Sequence, residues 1–219
     1  MNYDNLKDAP IDMIDDSVRR ILSPFDAVGA FDLTEEEEAV RSIYNNVTSV
    51  EHYEAARTIA ANSHVLLKND NDVLPLKADF WSSDIKVAMF GSQAQTPVVG
   101  GGGSGRVDSS WLATPLKTFI ARAEGAEYGA EESDKVLYFG DSMSNDDIEE
   151  MKEAGKTVDA CFFWMSTNSA EGGDRDSLSL DHDDFVAPVA EHCAKSIAVV
   201  TTPGETKQRA KRAGQCCSS

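Results

Sequence analysis

The chain has 219 residues, 41% of them hydrophobic, which is enough for a packed core and too many for wholesale disorder. Lysine and arginine number 20 against 38 aspartates and glutamates, so the net charge is −18. So acidic a surface repels phosphate backbones and anionic membranes, and we expect no nucleic-acid partner and no membrane partner for the body of the protein.

Two helices are predicted in the first part of the chain. Apolar side chains recur at helical spacing over residues 12–22, and Pro24 follows to end that helix. Thr48 and Glu51 have the spacing of a capping box before a second helix over residues 49–62. The acidic run between them indicates a solvated helix start within a linker.

From residue 64 onward, short apolar runs alternate with amphipathic stretches. Strands that alternate with helices predict an α/β fold, with a mostly parallel sheet flanked by helices. Helical periodicity predicts helices over 113–123, 146–154 and 184–194. Apolar runs bounded by turn residues predict strands over 65–67, 85–90, 136–139, 158–165 and 196–201.

The four cysteines do not have the spacing of a zinc site. Cys161 and Cys193 lie in apolar contexts, which predicts buried packing residues, whereas Cys216 and Cys217 lie in a polar tail. We therefore expect no metal and no cofactor. Cysteine usage leaves the redox compartment open.

The localisation is not determined by the sequence. The first eight residues have no apolar stretch, so they do not predict a signal peptide. Asn46-Val-Thr48 is an N-glycosylation sequence that matters only in a secreted protein. A parent protein of which this chain is a fragment could still be secreted.

A glycine loop, Gly100–Gly105, follows the predicted strand at 85–90. Backbone N–H groups of such loops can hold phosphates, but this loop lacks the Gly-Lys-Ser/Thr ending of a phosphate-binding loop. A nucleotide site is therefore disfavoured. A flexible turn without a ligand stays open as an interpretation.

A second loop presents a carboxylate, Glu171, in a turn of small residues just after the predicted strand at 158–165. Asp174 and Arg175 could pair and brace this loop, and Leu178 with Leu180 could anchor its far end. An ordinary charged surface loop is the alternative. Because ligands of parallel sheets bind beyond the carboxyl ends of the strands, both loops are expected to open onto one edge.

Four segments of the chain carry a common resemblance, in this order: Asp15–Asp32, His52–Leu76, Val87–Gly105 and Glu171–Leu178. They resemble glycoside hydrolase family 3, the β-glucosidase family. Their residue types are similar to the exit of that family's barrel domain, the beginning of its second domain, a strand with its glycine loop, and the segment that carries the acid/base glutamate.

The resemblance implies a truncated member of the family, with the α/β sandwich domain as its main part. Its implied domains are a remnant of the barrel domain's C-terminal end over 1–32, a linker with a leading helix over 33–63, the α/β sandwich domain over 64–204 and a divergent tail over 205–219.

The same resemblance implies a retaining hydrolase that removes terminal, non-reducing β-D-glucosyl residues from a small carbohydrate. Glu171 would be its general acid/base, with its pKa raised by burial when the barrel docks. Ser104, Gly103 and Trp111 would contact the sugar. Asp174 and Arg175 would support the loop of the site.

The family's nucleophile, an aspartate of the barrel, has no counterpart here, since a complete barrel takes about 250 residues. We therefore expect the chain alone to have negligible β-glucosidase activity. The missing barrel domain would leave an exposed apolar interface that favours self-association. The alternative is an inactive sugar-binding or interaction module.

Overall fold

The structure is a computed structural model in which the chain separates into two compact units, residues 1–65 and 66–219. Among the described residues, no helix combines the length and the apolar character needed to cross a bilayer. The described residues are 7–40, 45–77, 79–81, 84–107, 109, 111–141 and 144–207.

The first unit contains helices α1 (Ile11–Ala27), α2 (Glu35–Val40) and α3 (Val50–Asn62). The predicted end of α1 at Pro24 is wrong, because the helix continues for another turn. Proline removes one backbone donor, but the N–H of Val28 still donates to the Pro24 carbonyl at 3.2 Å, so the last turn closes.

Apolar side chains of this unit lie in solvent, since neither α1 nor α3 has a buried residue. Such faces contribute nothing to a core within the unit. The exposed large apolar side chains of α1 are Ile11, Met13, Val18, Ile21, Leu22 and Phe25.

The capping box of α3 lies one residue after the predicted position. Ser49 is the N-cap, and its hydroxyl accepts the His52 N–H at 3.3 Å, while Nδ1 of His52 accepts the Ser49 N–H at 3.2 Å. Histidine thus takes the place that glutamate or glutamine usually fills. The pairing of Thr48 with Glu51 is therefore wrong as the cap.

The strand predicted at 65–67 is also wrong. Val65, Leu66 and Leu67 belong to no strand and are 77%, 62% and 81% exposed. The chain that follows forms a short 3₁₀ helix, Asp70–Asp72. An apolar run therefore forms no strand here without a neighbouring strand to pair with.

The second unit is built on a four-stranded parallel sheet in the order β2-β1-β3-β4. The predicted α/β class with a parallel sheet is confirmed. The predicted bounds of β2 and β4 agree with the structure, and β1 and β3 are shorter than predicted. The strands are β1 (Val87–Phe90), β2 (Val136–Phe139), β3 (Ala160–Ser166) and β4 (Ser196–Thr201).

Three helices connect the strands: α4 (Pro115–Glu124), α5 (Asn145–Thr157) and α6 (Val186–Ala190). Ser144 is the N-cap of α5, where its hydroxyl accepts the Asp147 N–H at 3.1 Å. The helix predicted over 184–194 is too long, since only the residues of α6 are helical in that range.

Side chains alternate across the sheet, so both of its faces are covered. On β1, Val87 and Met89 pack with α4, while Ala88 and Phe90 pack with α5 and α6. All four side chains of β1 are fully buried, as expected of a central parallel strand. The hydrophobic core therefore has one layer on each side of the sheet.

Cys161 and Cys193 form a disulfide with a Cα–Cα distance of 6.0 Å. Both side chains contribute to the core, as predicted, and the sequence analysis did not predict their pairing. The bond ties buried β3 to the turn that follows α6. The separation of 32 residues gave no sign of this pairing in the sequence.

The strand order places a crevice between β1 and β3. The chain leaves β1 through α4 towards β2 at one edge, and leaves β3 through α6 towards β4 at the other edge. Loops from the two neighbouring carboxyl ends therefore separate, and ligands of open α/β sheets bind at such a point.

Candidate functional site

The crevice is bounded on one side by the chain that follows β1. Gly91 has φ 101°, and a side chain there would place a Cβ 2.1 Å from the Trp164 carbonyl oxygen of β3. Only glycine allows so close an approach in this conformation. The chain then turns away from the sheet towards the glycine loop.

Asp141, just after β2, holds the start of this turn. Its two carboxylate oxygens accept the N–H and the hydroxyl of Ser92 at 2.8 and 2.5 Å. Further along, the Gln93 side chain accepts the Val98 N–H at 2.8 Å. These bonds fix the path of the chain into the glycine loop. Neither Asp141 nor Ser92 was predicted from the sequence as a residue of this site. A polar residue just after a predicted strand was the available signal.

The glycine loop contacts the Glu171 loop directly, so the expectation that both share one edge is confirmed. Gly102 forms a parallel bridge with Ala170. The Gly102 N–H donates to the Ser169 carbonyl at 3.0 Å, and the Glu171 N–H donates to the Gly102 carbonyl at 3.3 Å. Backbone hydrogen bonds therefore join the two loops across the crevice.

Gly103 lies against Glu171 in a conformation that favours glycine. Its φ is 84°, and an added Cβ would lie 2.4 Å from the Cβ of Glu171. A larger residue would therefore both strain the backbone and push the glutamate away. The candidate sugar-contacting residue Gly103 is thus in direct contact with the candidate acid/base.

The carboxylate of Glu171 is held by one residue of the glycine loop. Its Oε2 accepts the Ser104 N–H at 2.7 Å and also accepts the Ser104 hydroxyl. The hydroxyl bond, followed by the N–H bond, lowers the pKa of Glu171 below its ordinary value of 4.5. The exposed side chain loses little water, so burial does not offset this. The raised pKa expected for the docked protein is not a property of this chain.

Asp174 and Arg175 do not pair among the described residues. Arg175 instead donates from Nη2 to the Glu205 carbonyl at 2.9 Å, because the chain after β4 returns to this loop. The Lys207 N–H likewise donates to the Leu178 carbonyl at 2.6 Å. Arg175 therefore bonds to the returning chain rather than to Asp174, which is exposed.

The far end of the Glu171 loop has one of its two predicted anchors. Leu180 is buried, whereas Leu178 is 48% exposed. The N–H of Asp181 donates to the Ser166 carbonyl at 3.1 Å, returning the chain to β3. The loop is therefore fixed at both of its ends.

Trp111, a candidate sugar-contacting residue, is 54% exposed. Its ring meets the Tyr128 ring edge-on with centroids 5.4 Å apart. The Tyr128 hydroxyl in turn donates to the Leu112 carbonyl and accepts the Thr114 N–H. Tyr128 thus supports the indole, which keeps a large aromatic surface in solvent.

Nothing at this edge resembles a metal centre: within the described ranges, no three His, Cys, Asp or Glu residues lie close enough to hold an ion. A cavity of about 420 Å³ lies elsewhere, among Asn71, Phe80, Ile85 and Lys195, and contains none of the candidate site residues. The crevice, rather than that cavity, brings a carboxylate, a hydroxyl and glycines together.

Comparison with known proteins gives the family. Residues 64–213 match the family described as Glycosyl hydrolase family 3 C-terminal domain. A probable beta-glucosidase G from Aspergillus terreus is 32% identical over 174 residues, which are 70% of this chain and 20% of that protein. An exo-alpha-(1->6)-L-arabinopyranosidase from Bifidobacterium longum is 30% identical over 168 residues, 70% of this chain and 21% of that protein.

The fold is that of solved relatives. The crystal structure of a beta-D-glucoside glucohydrolase from Trichoderma reesei superposes with a TM-score of 0.65 at 24% identity, over 94% of this chain and 30% of that chain. This chain spans about a fifth of the length of the curated relatives that it matches. It belongs to glycoside hydrolase family 3, of which residues 64–213 are a C-terminal domain.

Proposed function

We propose that this chain supplies the acid/base half of a retaining β-glucosidase site, with Glu171 as the general acid/base. The observation that carries the proposal is the position of the Glu171 carboxylate at the β1/β3 crevice, hydrogen-bonded to Ser104 of the glycine loop. The beta-glucosidases among the relatives support a β-glucoside as the substrate.

In the proposed reaction, a carboxylate from another domain attacks the anomeric carbon while Glu171 protonates the departing oxygen. Glu171 then removes a proton from the water that releases the sugar. The two carboxyl groups of such sites are about 5 to 5.5 Å apart, so the partner must approach the exposed face of Glu171. This chain alone would then have negligible activity.

The acid role requires Glu171 to be protonated near neutral pH. Ser104 lowers the pKa of Glu171 in this chain, so the assembled site must reverse that shift. Removal of water by the incoming domain and the sugar disfavours the carboxylate and raises its pKa. Donation of the Ser104 hydroxyl to a sugar oxygen, in place of Glu171, would remove the largest cause of the lowered pKa.

The other proposed contacts follow from this geometry. Ser104 would donate its hydroxyl to the sugar while its N–H keeps Glu171 in place, and Gly103 would leave room for the sugar to approach. Trp111 would offer its exposed ring as a stacking surface. Arg175 would support the Glu171 loop through its bond to the Glu205 carbonyl, whereas Asp174 contributes only charge.

The sharpest test joins this chain to the part of the enzyme that it lacks. The chain replaces the matching segment of the Aspergillus terreus relative, and folding of each graft is verified by its melting temperature. Glu171→Gln should slow hydrolysis of an alkyl β-glucoside by about 10²–10⁴-fold and of a dinitrophenyl β-glucoside far less, because a good leaving group needs no proton.

The matched control is Glu127→Gln, which changes another exposed glutamate and should leave both rates unchanged. An equal loss on both substrates would reject the acid role of Glu171. Turnover of an aryl β-glucoside by the ungrafted chain, abolished by Glu171→Ala, would reveal a nucleophile within these 219 residues and would contradict the proposed division of labour.

A sugar-binding module without catalysis is the second candidate. The observation in its favour is the lowered pKa of Glu171, caused first by the Ser104 hydroxyl, because a permanent carboxylate suits acceptance of sugar hydroxyls. Glucose titration of the ungrafted chain by NMR, with Ser104→Ala as the comparison, tests it. This candidate would be favoured if the ungrafted chain binds glucose and the grafted enzyme shows no hydrolysis.

A nucleotide site is disfavoured by the same contacts. The Ser104 N–H, which a phosphate would need, already donates to a carboxylate. The charge of Glu171 would also repel a phosphate in that place.

A further inference from the structure

One sequence feature is unrelated to the crevice. Asn46-Val47-Thr48 is the only Asn-X-Ser/Thr sequence in the 219 residues. It lies in the first unit between α2 and α3, and residues 45–49 belong to no helix or strand. Asn46, Val47 and Thr48 are all exposed, so a modifying enzyme can reach the segment.

The asparagine and the threonine of this sequence are held in one turn. The Thr48 N–H donates to Oδ1 of Asn46 at 3.0 Å, a local bond that short polar side chains form readily. Among the described residues, none hydrogen-bonds the Nδ2 atom of Asn46. Within the described ranges the nitrogen that would carry a sugar is therefore not engaged elsewhere, and the Thr48 hydroxyl lies two residues away.

An independent observation concerns the compartment. Cys161 is fully buried on β3 and is joined to Cys193 by a disulfide. Such bonds persist in oxidising compartments and are rare in the cytosol. The lumen of the secretory pathway is one such compartment, and it is also where exposed Asn-X-Thr sequences receive glycans.

We propose that Asn46 is an N-glycosylation site of this protein. The donor is an oligosaccharide linked to a polyisoprenyl pyrophosphate. A bond forms between Nδ2 of Asn46 and the anomeric carbon of the first sugar, and the bond from that carbon to the pyrophosphate oxygen breaks. Polyisoprenyl pyrophosphate leaves with the electron pair, and the amide proton passes to a base of the transferase.

A glycan at Asn46 has a structural consequence. Because a glycan is bulky and strongly hydrated, the turn formed by Asn46, Val47 and Thr48 must face solvent in the assembled protein. The exposed apolar side chains of α1, rather than this segment, then remain for contact with another domain.

The test secretes the chain from a eukaryotic host behind a cleavable leader and a tag with its own Asn-X-Thr sequence. Intact mass, and a peptide map after peptide-N-glycosidase treatment, report the occupied sites. We expect one glycan on the chain, marked by aspartate at position 46 after treatment. Thr48→Ser should keep this glycan, whereas Thr48→Ala and Asn46→Gln should lose it.

The Asn-X-Thr sequence in the tag shows whether the host glycosylated the secreted protein at all, so it makes an unmodified Asn46 interpretable. A glycosylated tag on a chain whose Asn46 is unmodified would overturn the proposal, and so would a glycan that survives Thr48→Ala. Alkylation of the same secreted chain, unfolded in urea without reductant, tests the compartment argument. Cys161 and Cys193 should stay unlabelled, and labelling of both would remove the support that the disulfide gives.

Discussion

Glu171 accepts two hydrogen bonds at a single oxygen from a single residue, Ser104. One comes from the backbone N–H at 2.7 Å and the other from the hydroxyl. The two residues are 67 positions apart in the sequence and meet because β1 and β3 are neighbours in the sheet. The charge state of Glu171 is therefore controlled by the glycine loop.

Ser104→Ala should raise the pKa of Glu171 towards 4.5, its ordinary value, because the Ser104 hydroxyl is the largest cause of the lowered pKa. The remaining N–H bond should keep the pKa slightly below that value. Titration of the labelled glutamate carboxyl by carbon NMR measures both. Ser177→Ala, which removes a hydroxyl elsewhere in the Glu171 loop, is the control; an identical titration in all three proteins would contradict the coupling.

The same shift predicts a pH dependence of stability. A carboxyl whose folded pKa is lowered stabilises the fold above its unfolded pKa, and this contribution disappears as the pH falls through the folded pKa. The free energy of unfolding of the wild type should therefore fall below about pH 4.5 more steeply than that of Ser104→Ala. Urea unfolding at a series of pH values compares the two slopes, and parallel slopes would speak against the prediction.

Gly103→Ala should destabilise the fold by about 1–3 kcal/mol, the usual cost of a non-glycine residue held in a disfavoured backbone conformation. The φ of 84° and the 2.4 Å approach of an added Cβ to Glu171 both cause the loss. Gly105→Ala is the matched control, since its Cβ meets no atom within 4 Å. Urea unfolding checks both variants, and an equal effect would argue against a specific contact of Gly103 with Glu171.

Local patterns predicted the sheet well because each strand is a short apolar run bounded by polar turns. The predicted ranges 136–139 and 196–201 are β2 and β4 as the structure has them. The prediction at 65–67 failed because the same pattern also describes an exposed apolar segment, and only a neighbouring strand distinguishes the two.

The candidate site was predictable in outline but not in its contacts. That two glycine-containing loops follow parallel strands was enough to place them at one edge. The partner of Arg175 was not predictable, because the Glu205 carbonyl is 30 residues away and the adjacent Asp174 was the obvious alternative. Asp141 was missed because its hydrogen bonds to Ser92 join the ends of two different strands.

Asp141→Asn should lower the pKa of Tyr138. Burial first, and the charge of Asp141 second, raise the pKa of this phenol above its ordinary value of 10.0. Neutralising Asp141 removes only the second cause, so the pKa should fall but stay above 10.0. Carbon NMR of labelled tyrosine measures the shift. Asp134→Asn, at the other end of β2, is the control, and a matching shift in that variant would rule out a local effect of Asp141.

Loss of the Cys161–Cys193 disulfide should cost about 3–4 kcal/mol in the free energy of unfolding. The bond closes a loop with a sequence separation of 32 residues, and the chain entropy that such a loop removes from the unfolded state gives this magnitude. The double variant Cys161→Ala with Cys193→Ala should therefore unfold at a lower urea concentration. The emptied core volume at Cys161 should add a smaller loss of unfolding free energy.

Reductant separates these two contributions. When reductant is equilibrated with the protein through the unfolding transition, the disulfide is reduced in the unfolded chain. The urea midpoint of the wild type should then fall towards that of the double variant, whose own midpoint should not change. The difference that persists under reduction measures the lost packing of two sulfur atoms. If reductant left the wild-type midpoint in place, the two sulfurs would contribute only as packing atoms, and the compartment argument for glycosylation of Asn46 would lose its physical basis.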